Sequence, residues 1–120
     1  MRQSMMLIIA MIKPFKLHDI TNALTRVGVE ALTVTEAQGC GRQKGHTQVF
    51  RGSEYTDRLL AMLKLEVAVP ASQVEQVVKA IGEAARTGNP GDGKIFVVQL
   101  DHLVSISTGR ADEMVPPLAA

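Results

Sequence analysis

The stretch LLAMLKLEVAVPASQVEQVVKAIGEAARTG, residues 59–88, contains the change of sequence period that decides the fold. In its first part, Leu59–Val69, large apolar residues alternate with polar or small ones, as expected for a β-strand. In its second part the apolar positions recur at helical spacing and form one stripe: Val74, Val77, Val78, Ile81 and Ala85. The stretch therefore predicts a strand followed by an amphipathic helix.

The ends of these two elements carry their own signals. Pro70 is expected to end the strand because proline cannot donate to a strand ladder. Ser72 and Glu75 match a capping box, which predicts the start of the helix. Gly88 is placed to end the helix.

The N-terminal part of the chain repeats this strand and helix order. Met5–Ile12 is a continuous apolar run, typical of a central strand that is buried on both faces. From Lys16 to Val27 the apolar residues again have helical spacing, and Gly28 follows as a helix stop. We therefore predict a first strand and a first helix here.

The remaining segments complete the predicted topology. Val29–Gln38 and Lys94–Leu100 have strand character, and Leu103–Ile106 suggests a short additional strand. The order strand, helix, strand, strand, helix, strand predicts an α+β fold of the ferredoxin-like βαββαβ type. Two helices cover one face of such a sheet, so we expect a partner subunit to cover the other.

Composition restricts the class of protein. The chain has 120 residues, 46% of them hydrophobic and 21% charged, which fits one domain over residues 1–120 with its own core. The net charge of +1 and the 3% aromatic content argue against a nucleic-acid partner. The apolar run 5–12 is much shorter than the roughly 20 residues of a membrane helix, so we expect no membrane insertion. With the single Cys40 and no signal-peptide pattern, we expect a cytoplasmic protein.

Two glycine-rich segments are candidate anion sites. In residues 39–46 the glycines allow close approach to a phosphate, to which Arg42 and Lys44 add positive charge. In residues 87–94 successive backbone N–H groups can form a nest, with Lys94 as a cation and Asp92 as a candidate for a ribose hydroxyl. The alternatives from spacing alone are a solvated loop for the first segment and an ordinary helix-to-strand connection for the second.

Catalytic and metal sites are not predicted. The histidines at 18, 46 and 102 lack metal-ligand spacing, and Cys40 has no assured base beside it. Glu36, Asp57 and Glu66 are possible bases for a phosphate-transferring enzyme. No paired metal-binding carboxylates accompany them, so we predict no catalytic residues and no enzyme activity.

Taken together, these segments resemble the PII family of signal transducers over residues 5–109. The resemblance is carried by motifs in the family's order and spacing: IKPFKL at 12–17, TVTE at 33–36, GxGRQKGHT at 39–47, RGxEY at 51–55 and TGxxGDGKIF at 87–96. It implies a homotrimer of ferredoxin-like subunits that binds ATP and ADP competitively in the clefts between neighbours. It also implies that a long exposed loop, the T-loop at about residues 41–59, controls a target such as a membrane transporter or a metabolic enzyme. A transporter target would recruit the protein to the membrane.

The resemblance also assigns site residues by position. Around the phosphates and ribose it places Gly39, Gly41, Arg42, Gln43, Gly91, Asp92, Gly93 and Lys94. Near the adenine it places Thr33, Glu66 and Ala68. Tyr55 matches a tyrosine that some bacterial members have uridylylated, whereas Phe50 replaces a second tyrosine. The chain from about residue 109 to 120 is expected to be a flexible tail.

The chain departs from the family pattern at charged positions. Ser105 and Ser107 stand where two phosphate-binding arginines are usual, and Asn89 replaces a basic residue. Met62 stands where a lysine pairs with 2-oxoglutarate, which argues against a 2-oxoglutarate response, although Gln43 of the Mg-ATP cluster is kept. We therefore expect altered effector binding. One alternative is a divergent sensor of ADP or AMP together with an anion such as bicarbonate, and another is a structural trimer without a ligand.

Overall fold

A computed structural model of the chain describes residues 4–42, 48–50, 53–55 and 57–111, and for residues 40–42, 48–50, 53–55, 57 and 58 it describes the backbone alone. The chain forms an α+β fold. Its elements in chain order are β1 (Met5–Ile12), α1 (Leu17–Arg26), β2 (Thr33–Arg42), β3 (Gln48–Phe50), β4 (Ser53–Tyr55), β5 (Asp57–Pro70), α2 (Val74–Ala85) and β6 (Gly93–Gln99).

The main sheet has the strand order β2-β5-β1-β6 and is antiparallel throughout. β1 lies at the centre, paired with β5 on one side and β6 on the other. Its continuous apolar sequence therefore marks a central strand, as predicted, and the ferredoxin-like βαββαβ order is confirmed.

The helices cover one face of this sheet and form the core with it. From β1 the side chains of Ile8, Ala10 and Ile12 point to the helices and are buried. They pack against apolar residues of the helices and of β5, all of them buried: Ile20, Leu24, Leu65, Val67, Val69, Val77 and Ile81. The helical stripes and the strand alternation thus meet in one core.

The first helix ends as its sequence predicts. Gly28 has φ +88°, and the amide of Val29 donates to the carbonyl of Leu24 at 2.9 Å. The amide of Gly28 donates to the carbonyl of Thr25 at 3.1 Å. This is a Schellman arrangement with glycine in the left-handed position.

The capping box predicted for the second helix is wrong. A 3-10 turn, Ala71–Gln73, precedes α2 and contains Ser72. The cap residue of α2 is Gln73, and no side-chain cap hydrogen bond is found there. Ser72 already lies inside the turn that leads into the helix, whereas a capping serine must lie outside it in extended conformation.

Strand β5 is longer than the sequence predicts, whereas β2 begins and ends four residues later than the predicted Val29–Gln38. Their ladder runs from Thr33 paired with Glu66 to Arg42 paired with Asp57. The glycine-rich residues 39–41, where the sequence predicts the end of the strand, lie inside this ladder. Because β1 ends opposite Leu63, the part of the ladder beyond it is a two-stranded ribbon. We call this part, residues 37–42 and 57–62, the β2–β5 ribbon.

The T-loop expected at 41–59 therefore has strand at both ends. Between them the structure describes a short hairpin in which β3 pairs with β4, Gln48 opposite Tyr55 and Phe50 opposite Ser53. Gln43 and the rest of residues 43–47 lie outside the described residues.

The C-terminal region contains less strand than predicted. In place of a fifth strand at Leu103–Ile106 there is a single bridge between Val104 and Ala111. The connecting turn is closed by the amide of Gly109, which donates to the carbonyl of Ser105 at 2.8 Å. Most of the predicted tail, residues 112–120, lies outside the described part of the chain.

The second face of the main sheet carries no helix from the described residues. By register, Leu7, Ile9 and Met11 of β1 point to this face, opposite the buried positions of the same strand. Phe96 and Val98 of β6 lie beside them and are 47% and 45% exposed. We call this surface the open face. Among the described helices, none is long and apolar enough to cross a membrane.

Candidate functional site

The glycine-rich turn of residues 87–93 joins the end of α2 to the start of β6, next to the end of β1. Gly91 and Gly93 both have positive φ, +89° and +116°. A Cβ on Gly93 would overlap the carbonyl oxygen of Met11. Glycine is therefore required at 93 both by its backbone conformation and by its contact with β1.

The carboxylate of Asp92 organises this turn. One of its oxygens, Oδ2, accepts hydrogen bonds from the amides of Thr87 at 2.8 Å and Gly88 at 3.1 Å. The other, Oδ1, accepts from the hydroxyl of Thr87 and lies 3.1 Å from Nζ of Lys13. The turn is thus closed by one side chain.

These partners change the acidity of Asp92. The hydrogen bonds from the hydroxyl and the amide of Thr87 hold its pKa well below the ordinary value of 3.8. Lys13 and the amide of Gly88 act in the same direction, while partial desolvation opposes them. The carboxylate is therefore ionised at neutral pH and well into the acid range.

We expect the Asp92 carboxyl to titrate well below pH 3.8 in the folded protein, as followed by carbon NMR of the carboxyl signal. Because its folded pKa is lowered, Asp92 contributes stability above its unfolded pKa, and this is lost as pH falls through the folded value. Thr87→Val removes the largest contribution and should raise the pKa of Asp92. The charged groups beside the carboxyl are Lys13, which directly follows β1, and, around a common cavity, Arg86 and Lys94. A wild-type midpoint at or above 3.8 would contradict this assignment.

The register brings several predicted site residues to the open face. Thr33 of β2 pairs with Glu66 of β5, which in turn lies opposite Ile9 of β1. Ala68 lies opposite Leu7. Since these pairs point to the same side of the sheet, the three residues expected near the adenine share one surface.

Lys94 reaches the same surface from the turn. It pairs with Met11 across the β1–β6 ladder, so its side chain belongs to the open face. It is exposed, and no ion pair to it is found among the described residues. Lys13, by contrast, is held by Asp92. Within the described part of the chain, Lys94 is thus a cation without an ion pair, at the junction of the turn and the open face.

A cavity of about 260 Å³ lies at the foot of the turn. Its apolar wall comes from Ile12, Ile81 and Ile95, and Asp92 and Lys94 lie along its lining. The cavity therefore connects the core side of the sheet with the charged residues of the turn.

The first glycine-rich segment is placed by β2. Gly39 lies opposite Leu60, and a Cβ on it would come within 2.5 Å of Sδ of Met62. Met62 thus lies across the backbone at the base of the β2–β5 ribbon. The backbone of Gly41 and Arg42 lies in β2, and the backbone of Tyr55 lies in β4.

The two serines found at the arginine positions lie in the C-terminal turn. Their hydroxyl oxygens are 3.2 Å apart, within hydrogen-bond distance of each other. The side chain of Ile106 between them is fully exposed. This turn therefore presents a pair of neutral hydroxyls.

Sequence reasoning missed Lys13 and Thr87 as members of the turn network. Lys13 directly follows β1, 79 residues before Asp92, and only the fold brings them together. A local signal existed for Thr87, since Ser or Thr near Asp often closes a turn through its side chain. In the described ranges, no group of three or more His, Cys, Asp or Glu side chains forms a metal site.

The fold and the turn define a small ferredoxin-like domain with a glycine-rich turn at one end of its sheet, and comparison with known proteins specifies its class. A family model described as nitrogen regulatory protein P-II matches residues 5–110. The chain belongs to the P-II family of nitrogen regulatory, signal-transducing proteins.

Individual relatives agree with this assignment. A nitrogen regulatory protein P-II of Rhizobium etli is 52% identical over 108 residues, which cover 90% of this chain and 96% of that protein. The nitrogen regulatory protein GlnK of Escherichia coli is 48% identical over 109 residues, 91% of this chain and 97% of that protein. The crystal structure of Arabidopsis thaliana PII bound to citrate has a TM-score of 0.75 at 30% identity and covers 92% of this chain and 91% of that one.

Proposed function

We propose that this protein is a nucleotide-responsive regulator that binds an adenine nucleotide on the open face, with the phosphates at the glycine-rich turn. The observation that carries the proposal is the exposed Lys94, which has no ion pair among the described residues, beside a turn whose backbone is fixed by Gly93 and Asp92. A lysine beside a glycine-rich turn of fixed conformation is suited to phosphate. Thr33, Glu66 and Ala68 supply the adjoining surface for the base and sugar.

We place the remaining predicted residues around the same ligand. Gly39, Gly41, Arg42 and Gln43 come from β2 and the segment after it, and Gly91 and Gly93 come from the turn. Mg²⁺ would arrive as Mg-ATP, with Gln43 as the side chain that the family resemblance assigns to it.

The site is completed by assembly in this proposal. The open face exposes Phe96 and Val98 beside a row of apolar β1 residues, and burying such a surface favours association. A homotrimer would cover it and bring the C-terminal turn of one subunit to the nucleotide of the next.

The proposed output is the T-loop, carried on the β2–β5 ribbon. It would contact a target protein such as a transporter or a metabolic enzyme, with Tyr55 as a candidate for covalent modification. The protein itself would act in the cytoplasm as a regulator and not as an enzyme. Hydrolysis of ATP by stoichiometric protein would contradict this part.

A divergent sensor is the second candidate, and the C-terminal turn favours it. Ser105 and Ser107 offer hydroxyls instead of positive charges, so they compensate less of a triphosphate's charge. Met62 at the ribbon base has no charge for the carboxylates of 2-oxoglutarate. ADP or AMP, together with an anion such as bicarbonate, would then be the effectors.

Calorimetric titration with ATP, ADP and AMP, each with and without Mg²⁺, 2-oxoglutarate and bicarbonate, tests both candidates. We expect nucleotide binding that is strongest for ADP or AMP and indifferent to 2-oxoglutarate. Tight Mg-ATP binding that 2-oxoglutarate strengthens would contradict the divergent-sensor candidate and support ordinary nitrogen signalling. Absence of binding for all three nucleotides would overturn the proposed function.

The variant Lys94→Met is expected to weaken ADP binding about 10- to 100-fold, because a charge-assisted contact is worth roughly 1.5–3 kcal/mol. Lys79→Met removes the same charge from the exposed surface of α2 and is the matched control. Equal affinity of the Lys94 and Lys79 variants would contradict the assignment of Lys94.

A further inference from the structure

The carboxylate of Asp92 has no acceptor site left for a ligand. A carboxylate offers about four acceptor positions on its two oxygens. All four are occupied within the protein: by the hydroxyl and the amide of Thr87, by the amide of Gly88 and by Lys13. A ribose hydroxyl could bind Asp92 only by displacing one of these partners.

The hydroxyl of Thr87 is equally committed. It donates to Asp92 and accepts from the amide of Asn89 at 3.1 Å. It also accepts from Nζ of Lys13 at 3.5 Å. Lys13, Asp92 and Thr87 therefore form a closed network that joins the end of β1 to the turn.

The network sets the electrostatic potential that the turn presents to an anion. Asp92 is negatively charged and lies inside the turn, where it would repel a phosphate bound to the backbone amides. Lys13 balances that charge directly, with both side chains 24% exposed. Among the described residues no hydrogen bond is found from the amide of Gly91.

We propose that Lys13 and Asp92 are positioning residues of the anion-binding turn: Asp92 holds the turn in its binding conformation before any ligand arrives, and Lys13 cancels the charge that Asp92 brings. Neither residue needs to contact the nucleotide. This inference rests on the proposed function. In it, Lys94 is the cation that contacts the phosphate, and the Lys13–Asp92 pair shapes the turn.

The dependence of binding affinity on ligand charge distinguishes an electrostatic role of Lys13 from a purely structural one. In Lys13→Met the negative charge of Asp92 is left uncompensated, so the loss of affinity should grow with the charge of the ligand. We expect roughly a tenfold loss for ATP and about twofold for AMP. A simple distortion of the turn would weaken all three nucleotides by the same factor.

Two further variants complete the test. Lys13→Met combined with Asp92→Asn removes both charges but also one of the two accepting oxygens that hold the turn, so we expect a similar loss of affinity for ATP and AMP. Lys13→Arg keeps the charge and should stay close to wild type. Lys79→Met, on the exposed surface of α2, is the control for removing one positive charge. Equal losses for ATP and AMP in Lys13→Met, or a loss that still grows with ligand charge in the double variant, would overturn the proposal.

NMR of the ligand-free protein separates this inference from the proposed function. In Lys13→Met we expect the amide signals of Thr87 and Gly88 to shift and the pKa of Asp92 to rise, whether or not any nucleotide binds. Unchanged amide signals would overturn the positioning role even if nucleotide binding is normal. If the signals shift but the protein binds no nucleotide, the positioning role is supported and the proposed nucleotide binding is contradicted.

Discussion

Replacing Gly93 by alanine is expected to lower the free energy of unfolding by about 3–5 kcal/mol. Two causes act together. The φ of +116° is unfavourable for a residue with a Cβ, and that Cβ would overlap the carbonyl oxygen of Met11. The obstacle is backbone of the central strand, which cannot move without disturbing the pairing of β1 with β6.

Gly82→Ala is the matched control for this prediction. Gly82 lies within α2, and nothing lies within 4 Å of a Cβ built there. Alanine at this position should stabilise the helix by up to about 1 kcal/mol. Urea unfolding at one fixed protein concentration measures both variants, since assembly makes stability depend on concentration. A loss under about 1 kcal/mol for Gly93→Ala would show that the turn can rearrange at low cost.

The second large effect is expected from Phe96→Glu, which should convert a trimer into monomers. Phe96 is 47% exposed on the open face. Burying a phenylalanine contributes about 1.5–3 kcal/mol, and burying an unpaired carboxylate costs considerably more. In a symmetric trimer the substitution acts three times.

The neighbouring Val97 provides the control, because it lies on the other face of the same strand. It pairs with Ile8, whose side chain points to the helices, and is 41% exposed. Val97→Glu should therefore leave the assembly intact. Sedimentation velocity or light scattering measures the mass. A monomeric wild type, or a trimeric Phe96→Glu, would reject the open face as the subunit interface.

Sequence periodicity was sufficient for the order of the core elements because β1, β5 and the two helices bury regular apolar patterns. Ile8, Ala10 and Ile12 alternate with half-exposed neighbours, and Ile20 and Leu24 follow helical spacing. Gly28 could be placed as a helix end because its left-handed conformation has a local cause. These features depend on residues close together in the chain.

Features that depend on distant partners were predicted less well. The glycines at 39 and 41 have low strand propensity, yet they lie in a strand because β5 supplies the ladder partners. The capping box failed because the chain already turns at Ala71 after Pro70. The Lys13–Asp92 contact joins the end of one strand to a turn 79 residues later, and neither residue carries a signal for the other.

The β2–β5 ribbon also has a mechanical consequence. Its six residue pairs, from Ala37–Met62 to Arg42–Asp57, extend past the end of β1, over roughly 20 Å at about 3.4 Å per residue. A ribbon of two strands twists and bends more easily than the four-stranded sheet that anchors it. A tilt of about 10° at its base, where Met62 crosses Gly39, displaces the far end by roughly 3–4 Å over that length. The ribbon therefore amplifies motion, because a small change of packing at the sheet produces a displacement of several ångströms at its far end.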